Sequence, residues 1–340
     1  MIEEKNLEMT FVSVIVPCFN EEKTIALLLK ALVEQTYPLV DMEVIVADGF
    51  STDATRQIVA DFQAAHLQLV VRVVDNPQRH IPAALNVALK AARGEVIVRL
   101  DAHSVPGRTY VAQCVAGLLA DKGDNVGGVW QIEPGGSGWM ACAIAAAAAH
   151  PLGVGDARYR FNSPAGLVDT VPFGAYRREL FDRLGGFDET LLSNEDYELN
   201  ARIRQSGGRV YLDPEIRSTY FARSTLGGLA RQYRRYGFWK WQMLRRYPST
   251  LRWRQALPPV FVLGVTALAL MAVFWWLARL VLVLGLGIYG LILLAGSIPT
   301  AVRRGDVRLA PGIALAIATM HFCWGSGFLW SAFRSLFNQS

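Results

Sequence analysis

Acidic side chains follow three of the apolar, β-branched runs in the sequence. Glu21 comes after the first run, Asp48 ends the second, and Asp101 follows the fourth, two residues before His103. If these runs are parallel strands of one sheet, the residues lie beyond the carboxyl ends of the strands, where such sheets bind ligands. Carboxylates there suit the hydroxyls of a sugar, the N–H of a base, and a divalent cation that masks a diphosphate. Each Asp taken alone could equally be a turn or capping residue.

The elements that position these residues follow from the hydrophobic pattern. Apolar, β-branched runs predict strands, and the first three are each followed by a helical pattern. The predicted strands are residues 11–17, 43–47, 69–74 and 95–100. Strands that alternate with helices predict an α/β domain with a parallel or mostly parallel sheet covered on both faces. No G-x-G-x-x-G or P-loop motif follows any strand, which argues against a dinucleotide site and a P-loop ATPase.

A second pair of carboxylates, Glu195 and Asp196, opens a helical stretch over residues 197–205 that ends at glycine. Acids in a first helical turn are favoured by the helix dipole alone. The glycine-rich loop before them, with Phe187-Asp188-Glu189, would instead bring an acceptor beside the pair. One carboxylate of such a pair can take the proton of an attacking hydroxyl. A hydrolase with paired carboxylates is disfavoured, because the diphosphate site would then have no purpose.

The C-terminal part of the 340-residue chain differs sharply in charge from the rest. Residues 216–340 contain fifteen Lys and Arg but a single acid, Asp306, whereas residues 1–215 carry an acidic excess. The basic stretch runs directly into long apolar runs, which favours a membrane and its surface over a nucleic-acid arm. Each run is about as long as the roughly 20 residues that a spanning helix needs. Arg279 separates the first two runs. The three runs are residues 257–278, 280–299 and 310–333.

Loop arginines predict the orientation of these spans. They precede the first span and separate the second from the third, so both flanks belong on the cytoplasmic side. Residues 1–10 are acidic and polar rather than a secretory signal, which keeps the N-terminal domain in the cytoplasm. We therefore expect a multi-pass protein of the inner (cytoplasmic) membrane. The four cysteines are scattered, which suits a reducing compartment and argues against a disulfide framework or structural zinc.

The segment 223–256 joins the two parts and mixes aromatic with basic residues. Trp239 and Trp241 stand among many cations. A basic, solvated helix would not need two tryptophans, so the pattern indicates a helix at the membrane interface. Its expected partners are anionic lipid head groups or a lipid diphosphate.

Four motifs, in their order and spacing, resemble family 2 glycosyltransferases of the GT-A fold. They are VSVIVPCFNE at 12–21, VADGFSTDAT at 46–55, Leu100-Asp101-Ala102-His103 and Asn194-Glu195-Asp196. Within the family the chain is most similar to the succinoglycan-type exopolysaccharide enzymes, through residues 153–155, 168–174 and 185–189. The resemblance implies a Rossmann-like nucleotide-diphospho-sugar transferase domain, followed here by C-terminal transmembrane helices.

The resemblance also assigns a donor site. It places Pro17, Asn20 and Glu21 in the nucleoside pocket of a UDP-linked sugar, and Asp48 accepts from the N3–H of the base. The family often has a second acid where this chain has Ala47. The expected donor-site residues are Pro17, Asn20, Glu21, Asp48, Arg79, Asn86, Asp101, Gln232, Arg235 and Tyr236. The last three belong to a Gln-x-x-Arg-Tyr run that resembles the run covering donor and acceptor in processive members of the family.

The family holds a divalent cation with Asp-x-Asp, where this chain has Asp101-Ala102-His103. The resemblance therefore makes Asp101 and His103 the expected ligands of Mn²⁺ or Mg²⁺. Imidazole is a poor Mg²⁺ ligand and an acceptable Mn²⁺ ligand, which favours manganese. His103 could instead donate a hydrogen bond to a phosphate, or be structural. By the same resemblance Asp196 is the catalytic base, and Glu195 orients it or binds acceptor.

Together these features predict three regions and one reaction. The regions are a GT-A domain at 1–222, a basic aromatic linker at 223–256, and about three spans within 257–333. The reaction is an inverting transfer of a hexose from a UDP-sugar to a lipid-linked saccharide at the cytoplasmic membrane face, in exopolysaccharide or cell-envelope glycan synthesis. No nucleic acid is expected as a partner. The alternatives are a polyprenyl-phosphate glycosyltransferase and, in another class, a non-catalytic nucleotide-sugar-binding subunit of a polysaccharide export complex.

Overall fold

The computed structural model describes residues 10–161 and 163–337. Its strands are β1 (Val12–Cys18), β2 (Met42–Asp48), β3 (Val70–Asp75), β4 (Val96–Arg99), β5 (Ser104–Pro106), β6 (Asn125–Pro134), β7 (Gly166–Leu167), β8 (Ala175–Arg177) and β9 (Val210–Ala222). Its α-helices are α1 (Ile25–Val33), α2 (Thr55–Ala65), α3 (Ile81–Ala91), α4 (Tyr110–Leu119), α5 (Trp139–Ala148), α6 (Pro151–Val154), α7 (Arg178–Leu184), α8 (Glu195–Gln205), α9 (Leu226–Arg246), α10 (Trp253–Met271), α11 (Trp276–Arg303) and α12 (Leu309–Phe337). Short 3₁₀ helices occupy Leu39–Asp41, Arg158–Arg160 and Pro248–Thr250.

The nine strands found in the described residues form one mixed sheet. Their order is β3-β2-β1-β4-β8-β6-β9-β5, with β7 beside β9. β1 pairs in parallel with β2 and β4, and β2 pairs in parallel with β3. β8 is antiparallel to both β4 and β6, and β9 is antiparallel to β5 and β7. The sheet is thus parallel only in its first half. The antiparallel half was not visible in the sequence, because antiparallel pairing needs no crossover helix and leaves no strand–helix alternation.

The two central strands of the parallel half, β1 and β2, are buried on both faces, whereas β3 at the edge is partly exposed. Every residue of β1 and β2 is buried, as continuous apolar strands of a covered sheet should be. Leu28 and Leu32 of α1 pack into the same core as Tyr110 and Cys114 of α4. Burying one such leucine contributes about 1.5–3 kcal/mol. The polar residues that follow these strands are therefore held at one firmly supported edge.

The described chain divides into two compact units. The first contains residues up to 131 together with 162–220, and the second contains 132–161 together with the residues from 221 onward. The second unit therefore takes a segment from within the region predicted as one domain. In this unit α5 and α9 both pack against α12. Gly237 of α9 permits this approach, because a Cβ there would lie 2.1 Å from the carbonyl oxygen of Trp324.

Three helices of the second unit, α10, α11 and α12, are long and apolar enough to cross a membrane, judged by length and composition. Their ends differ from the predicted runs, since the turn between the first two lies between Met271 and Trp276. Arg279 is therefore inside the first turn of α11 and not between the spans. Its guanidinium donates to the carbonyl oxygen of Ala272 at 3.0 and 3.2 Å. This contact gives a partner to a carbonyl that the end of α10 leaves without one.

The predicted linker, residues 223–256, contains α9, the 3₁₀ helix Pro248–Thr250 and the first residues of α10. α9 is packed along part of its length. Trp241 Nε1 donates to Ser335 Oγ at 3.0 Å, and the ring lies edge-on to Phe328 with centroids 5.3 Å apart. Trp241 therefore contacts α12 within the unit, whereas the sequence predicted a lipid anchor.

Candidate active site

Arg99 lies at the centre of a cluster of carboxylates at the end of β4. Its side chain is only 3% exposed. Arg99 Nη2 lies 2.9 Å from Asp101 Oδ1 and 3.0 Å from Glu195 Oε1, and Nη1 donates to Asp196 Oδ2. A buried guanidinium needs such partners, because an unpaired charge in the interior is very unfavourable. Arg99 thus joins the carboxylate that follows β4 to the two that open α8.

The first turn of α8 presents its carboxylates to β4. Asn194 precedes the helix with a φ of +69°, in the left-handed region that asparagine tolerates. The side chains of Glu195 and Asp196 are 10% and 19% exposed. The helix dipole would also stabilise both acids if they were exposed to water. The dipole therefore does not explain why they are buried, whereas the ion pairs with Arg99 do.

Burial, together with the neighbouring carboxylates, favours Asp196 as a proton acceptor. Burial raises the pKa of Asp196 to about 8, Arg99 opposes this shift, and Glu195 and Asp101 reinforce it. Burial acts to lower the pKa of Arg99, but the three carboxylates outweigh it and the pKa rises. Asp196 Oδ1 is buried and has no hydrogen-bond partner among the described residues. A carboxylate with an unoccupied oxygen and a pKa near neutrality is suited to take a proton from a bound hydroxyl.

His103 lies between two of the predicted site carboxylates. Its Nδ1 is 3.1 Å from Glu21 Oε1, and its Nε2 is 3.9 Å from Asp101 Oδ2. The turn after β4 is fixed by Ser104, whose Oγ donates to the carbonyl oxygen of Asp101 at 2.7 Å. The structure therefore brings together Glu21, Asp101 and His103, which sequence motifs placed at the donor site.

The side chains of Asp101 and His103 fit one divalent cation. Among the described residues, no group of three or more His, Cys, Asp or Glu forms a complete metal site. A carboxylate oxygen and an imidazole nitrogen 3.9 Å apart can still share one ion whose other ligands are diphosphate oxygens and water, as in many Mg²⁺ sites on phosphates. The mixed oxygen and nitrogen donors suit Mn²⁺ better than Mg²⁺.

Asp48 is a buried carboxylate whose orientation is fixed. Its Oδ2 accepts from the backbone N–H of Ser51 at 3.0 Å and from Arg56 Nε at 2.5 Å, and its Oδ1 accepts from Ser51 Oγ at 2.5 Å. Arg56 also pairs with Asp75, the last residue of β3. Each carboxylate oxygen has two acceptor sites, so Asp48 retains capacity for a further N–H.

An aromatic ring with two cations lies beside this carboxylate. Phe50 is 38% exposed and has a φ of +60°. The guanidinium carbons of Arg56 and Arg79 lie 5.5 and 5.7 Å from its ring centroid. An apolar face flanked by cations is a suitable surface for a base and its phosphates. Arg79 is exposed and therefore accessible from this side.

Two residues predicted for the nucleoside pocket mainly shape the strand ends. Asn20 Oδ1 accepts from the backbone N–H of Thr52 at 2.8 Å, and the backbone N–H of Asn20 donates to Ser51 Oγ at 2.8 Å. Asn20 thus ties the loop after β1 to the loop after β2. Pro17 is buried within β1 and pairs with Ala47 of β2.

Asn86 holds the loop between α7 and α8. Its Nδ2 donates to the carbonyl oxygen of Phe187 at 2.9 Å and to Glu189 Oε1 at 2.8 Å, and its Oδ1 accepts from the backbone N–H of Phe187 at 2.8 Å. Both donor protons are therefore used, and the amide oxygen retains one acceptor site. The predicted contact of Asn86 with ribose or diphosphate stays a prediction.

The predicted Gln-x-x-Arg-Tyr residues lie on α9, in the second unit. Gln232 Nε2 donates to the hydroxyl of Tyr236 at 3.0 Å, one helical turn away. Tyr236 also meets Tyr233 edge-on, with ring centroids 5.7 Å apart, and Arg235 is exposed. Their contribution to a donor site stays a prediction.

Sequence reasoning missed Arg99, Arg56 and Asp75. For Arg99 a signal was present, because it is the one charged residue in the otherwise apolar run 96–100. A charge in a buried strand must be paired, and Asp101 offered a partner two residues away. Arg56 and Asp75 belong to none of the motifs, and only the fold brings them beside Asp48.

Comparison with known proteins extends these observations. The family model described as Glycosyl transferase family 2 matches residues 13–185. The succinoglycan biosynthesis protein ExoA of Rhizobium meliloti (strain 1021) is 30% identical over 317 residues, which are 93% of this chain and 93% of that protein. The dolichyl N-acetyl-alpha-D-glucosaminyl phosphate 3-beta-D-2,3-diacetamido-2,3-dideoxy-beta-D-glucuronosyltransferase of Methanococcus voltae is 27% identical over 248 residues, 72% of this chain and 77% of that protein.

A solved structure shares the fold. It is the mannosyltransferase PcManGT from Pyrobaculum calidifontis, in complex with GDP-Man and Mn²⁺. The TM-score is 0.66 at 22% sequence identity, and the match covers 94% of this chain and 87% of that chain. The predicted α/β fold class, with its Rossmann-like GT-A domain, is thereby confirmed.

Proposed function

The chain belongs to glycosyl transferase family 2, and from this premise we propose that it moves a hexose from a UDP-linked sugar to a lipid-linked saccharide, with inversion at the anomeric carbon. The family inferred from the motifs is confirmed, and the protein is a glycosyltransferase. One relative is named for succinoglycan biosynthesis, and another for transfer to a dolichyl-linked sugar phosphate. These relatives favour an enzyme over the non-catalytic subunit considered from the sequence.

The ion-pair cluster around Arg99 is the observation that carries this proposal. One guanidinium holds Asp101, a predicted donor-site residue, and Asp196, the predicted base. An inverting transfer needs a proton acceptor on the opposite side of the anomeric carbon from the leaving diphosphate. A carboxylate with an unoccupied oxygen, tied through one arginine to the donor site, meets this need.

The proposed reaction is a single displacement. Asp196 accepts the proton of the acceptor hydroxyl while the hydroxyl oxygen bonds to the anomeric carbon. The bond from that carbon to the diphosphate oxygen breaks, and UDP leaves with the electron pair. Glu195, paired with Arg99, holds Asp196 in orientation. When bound by Asp101 and His103, a divalent cation supplies positive charge that stabilises the diphosphate.

The donor base and the acceptor are the finer parts of the proposal. Asp48 offers a fixed carboxylate to the N3–H of uracil, but the N1–H of guanine could meet the same group, and the solved relative holds GDP-Man. The relative that acts on a dolichyl-linked sugar phosphate supports a lipid-linked acceptor. A polyprenyl phosphate acceptor would need no base, because its nucleophile is already ionised.

We further propose where the protein lies in the cell and which role each region of the chain has. Residues 1–222 carry the chemistry on the cytoplasmic side of the inner membrane, residues 223–256 contact anionic lipids at the interface, and residues 257–333 span the bilayer. The apolar helices α10, α11 and α12 support the last assignment. The loop arginines before α10 and after α11 support the orientation.

A donor screen tests this function. Purified full-length protein is incubated with a lipid extract of its host and with UDP-glucose, UDP-galactose, UDP-N-acetylglucosamine or GDP-mannose, and released nucleoside diphosphate is measured. We expect UDP release from one UDP-sugar that depends on the lipid, together with transfer of label to the lipid fraction. Release from GDP-mannose alone would contradict the uracil assignment, and release from no donor would contradict transfer.

A further inference from the structure

A cavity of about 420 Å³ lies in the second unit, where the end of α5 and the start of α6 approach the last turns of α11. Part of its wall is apolar and includes Ala149 and Pro299. Another part is polar and consists of Thr300, Arg303 and Arg304. The cavity therefore combines an apolar surface with two adjacent cations.

The two arginines of this cavity lack a counter-charge. Arg303 Nη2 donates to Thr300 Oγ1 at 3.3 Å, and neither Arg303 nor Arg304 forms an ion pair with a residue in the described ranges. None of the described residues in the wall is acidic. Arg308 differs, because Asp306 neutralises it through contacts of 2.9 and 3.0 Å. Two exposed guanidinium groups without a counter-charge on one concave wall attract an anion.

Hydrogen bonds hold the part of the cavity wall formed by His150 and Gly296 in place. His150 Nε2 lies 3.1 Å from the carbonyl oxygen of Gly296, and His150 Nδ1 accepts from the backbone N–H of Leu152 at 3.2 Å. Gly296 permits this approach, because a Cβ there would lie 2.5 Å from Leu152 Cδ1. A preformed wall lowers the entropy that a ligand loses on binding.

The position of the cavity along α11 indicates what kind of anion it meets. Arg303 is the last residue of this 28-residue apolar helix. In a membrane, the end of a spanning helix lies at the level of the lipid head groups. The positive-inside tendency explains arginines at such an end. It does not explain why two of them line a preformed cavity that also has an apolar wall.

We propose that this cavity binds the phosphate or diphosphate head group of a membrane lipid. The planar guanidinium groups match phosphate oxygens with paired hydrogen bonds, and the apolar wall accommodates the first carbons of the chain. Small-molecule sites usually have volumes of about 300–1,000 Å³, which includes this one. A polyprenyl diphosphate carrier and an ordinary anionic phospholipid both present this chemistry. The proposal does not depend on glycosyl transfer.

Binding by the full-length protein in neutral detergent tests the proposal. Native mass spectrometry measures the affinity for farnesyl diphosphate and for dioleoyl phosphatidylglycerol, with phosphatidylcholine as the neutral comparison. The double variant Arg303→Ala/Arg304→Ala is compared with Arg308→Ala, a matched arginine that Asp306 neutralises and that does not line the cavity. We expect the double variant to bind at least one anionic probe at least tenfold more weakly, and Arg308→Ala to bind as the wild type does.

The two probes distinguish the sources of the head group. A selective loss of farnesyl diphosphate assigns the site to a carrier lipid, and a selective loss of phosphatidylglycerol assigns it to a phospholipid; either supports the proposal. Equal affinities of wild type and double variant for both probes overturn it, as does an equal loss in Arg308→Ala. Arg303→Lys/Arg304→Lys keeps the charge without the paired geometry and should give an intermediate loss, which keeps the test decisive if the alanine variant does not fold.

Discussion

At the scale of single residues, Arg99 connects the two sides of the proposed reaction. Its guanidinium is shared by Asp101, Glu195 and Asp196. Removing one partner of a buried ion pair typically destabilises a protein by about 3–5 kcal/mol, because a buried charge is left without compensation. A lysine at this position would keep the charge, but its compact ammonium cannot reproduce the planar fork that reaches three carboxylates.

We therefore expect Arg99→Lys to lower turnover by at least tenfold and to lower the melting temperature, while the affinity for UDP falls much less. Steady-state kinetics, thermal unfolding and a UDP titration measure the three quantities. Arg177→Lys is the matched control, since Arg177 lies on the neighbouring strand β8 and its Nη2 donates to the carbonyl oxygen of Leu118 at 2.6 Å. An unchanged kcat in Arg99→Lys would remove Arg99 from the account of catalysis.

The pH dependence follows from the raised pKa of Asp196, about 8. The base works only when it is deprotonated, so kcat/KM should rise as the pH rises through this pKa and fall on the acid side. Arg99 lowers the pKa of Asp196. Arg99→Met should therefore move the acid limb of the profile to higher pH, and Arg99→Lys should move it less. A limb at the same pH in all three proteins would show that another group titrates.

The metal prediction rests on His103. We expect EDTA to abolish turnover and Mn²⁺ to restore it better than Mg²⁺, because imidazole suits manganese. His103→Asp should shift the preference toward Mg²⁺, and the shift is measured by titrating each ion into the stripped enzyme. Undiminished turnover in EDTA would contradict ligand roles for both Asp101 and His103.

Motif spacing predicted several site residues, but not the residue that joins them. Asp101, His103 and Glu21 come together as expected, because each follows a buried parallel strand or the turn after one. The contact of Asn86 with Phe187 was not predicted, because the position of Asn86 after β3 says nothing about a loop 100 residues later. Arg99 belongs to none of the motifs, because it lies inside β4 and the motif residues follow the strands.

At the scale of elements, α3 holds the loop between α7 and α8 through Asn86. Asn86→Asp would lose the two amide donors and place a carboxylate against Glu189, which is now bonded at 2.8 Å. We expect a several-fold rise in the KM for acceptor with no change in the affinity for UDP, as measured by acceptor kinetics and a UDP titration. Asn86→Ala, which adds no charge, should show a smaller rise. A loss of UDP affinity would instead return Asn86 to the donor site.

The presence of a helix was easier to predict from the sequence than the residues at which it ends or the partners of a short strand. Hydropathy indicated the three long helices, but Arg279 lies within α11 and not between two spans, and its guanidinium donates to the carbonyl oxygen of Ala272. In the second half of the sheet β5, β7 and β8 have only two or three residues each. Runs that short carry no readable period. Their antiparallel partners could therefore not be assigned from the sequence.

At the scale of the whole molecule, the chain has two units with different compositions. The asymmetry of charge predicts two parts of the chain, because no acid lies between Glu215 and Asp306. It did not predict that α5 belongs with the second unit. The small side chains of α5 allow close packing, since a Cβ at Gly312 of α12 would lie 2.8 Å from Ala143 Cβ. This contact depends on how the surfaces of α5 and α12 fit together. The alanine-rich composition of α5 does not show which helix it packs against.

The central claim is that Asp196 is the base of an inverting glycosyl transfer, and Asp196→Asn in the full-length protein tests it most directly. Asparagine keeps the size and much of the hydrogen bonding but cannot accept the proton. Asp182→Asn is the control, because it makes the same change at an exposed aspartate of α7. We expect UDP release in the presence of acceptor to fall about 10²–10⁴-fold in Asp196→Asn, with UDP affinity unchanged and with the control close to wild type. Full activity of Asp196→Asn would contradict it.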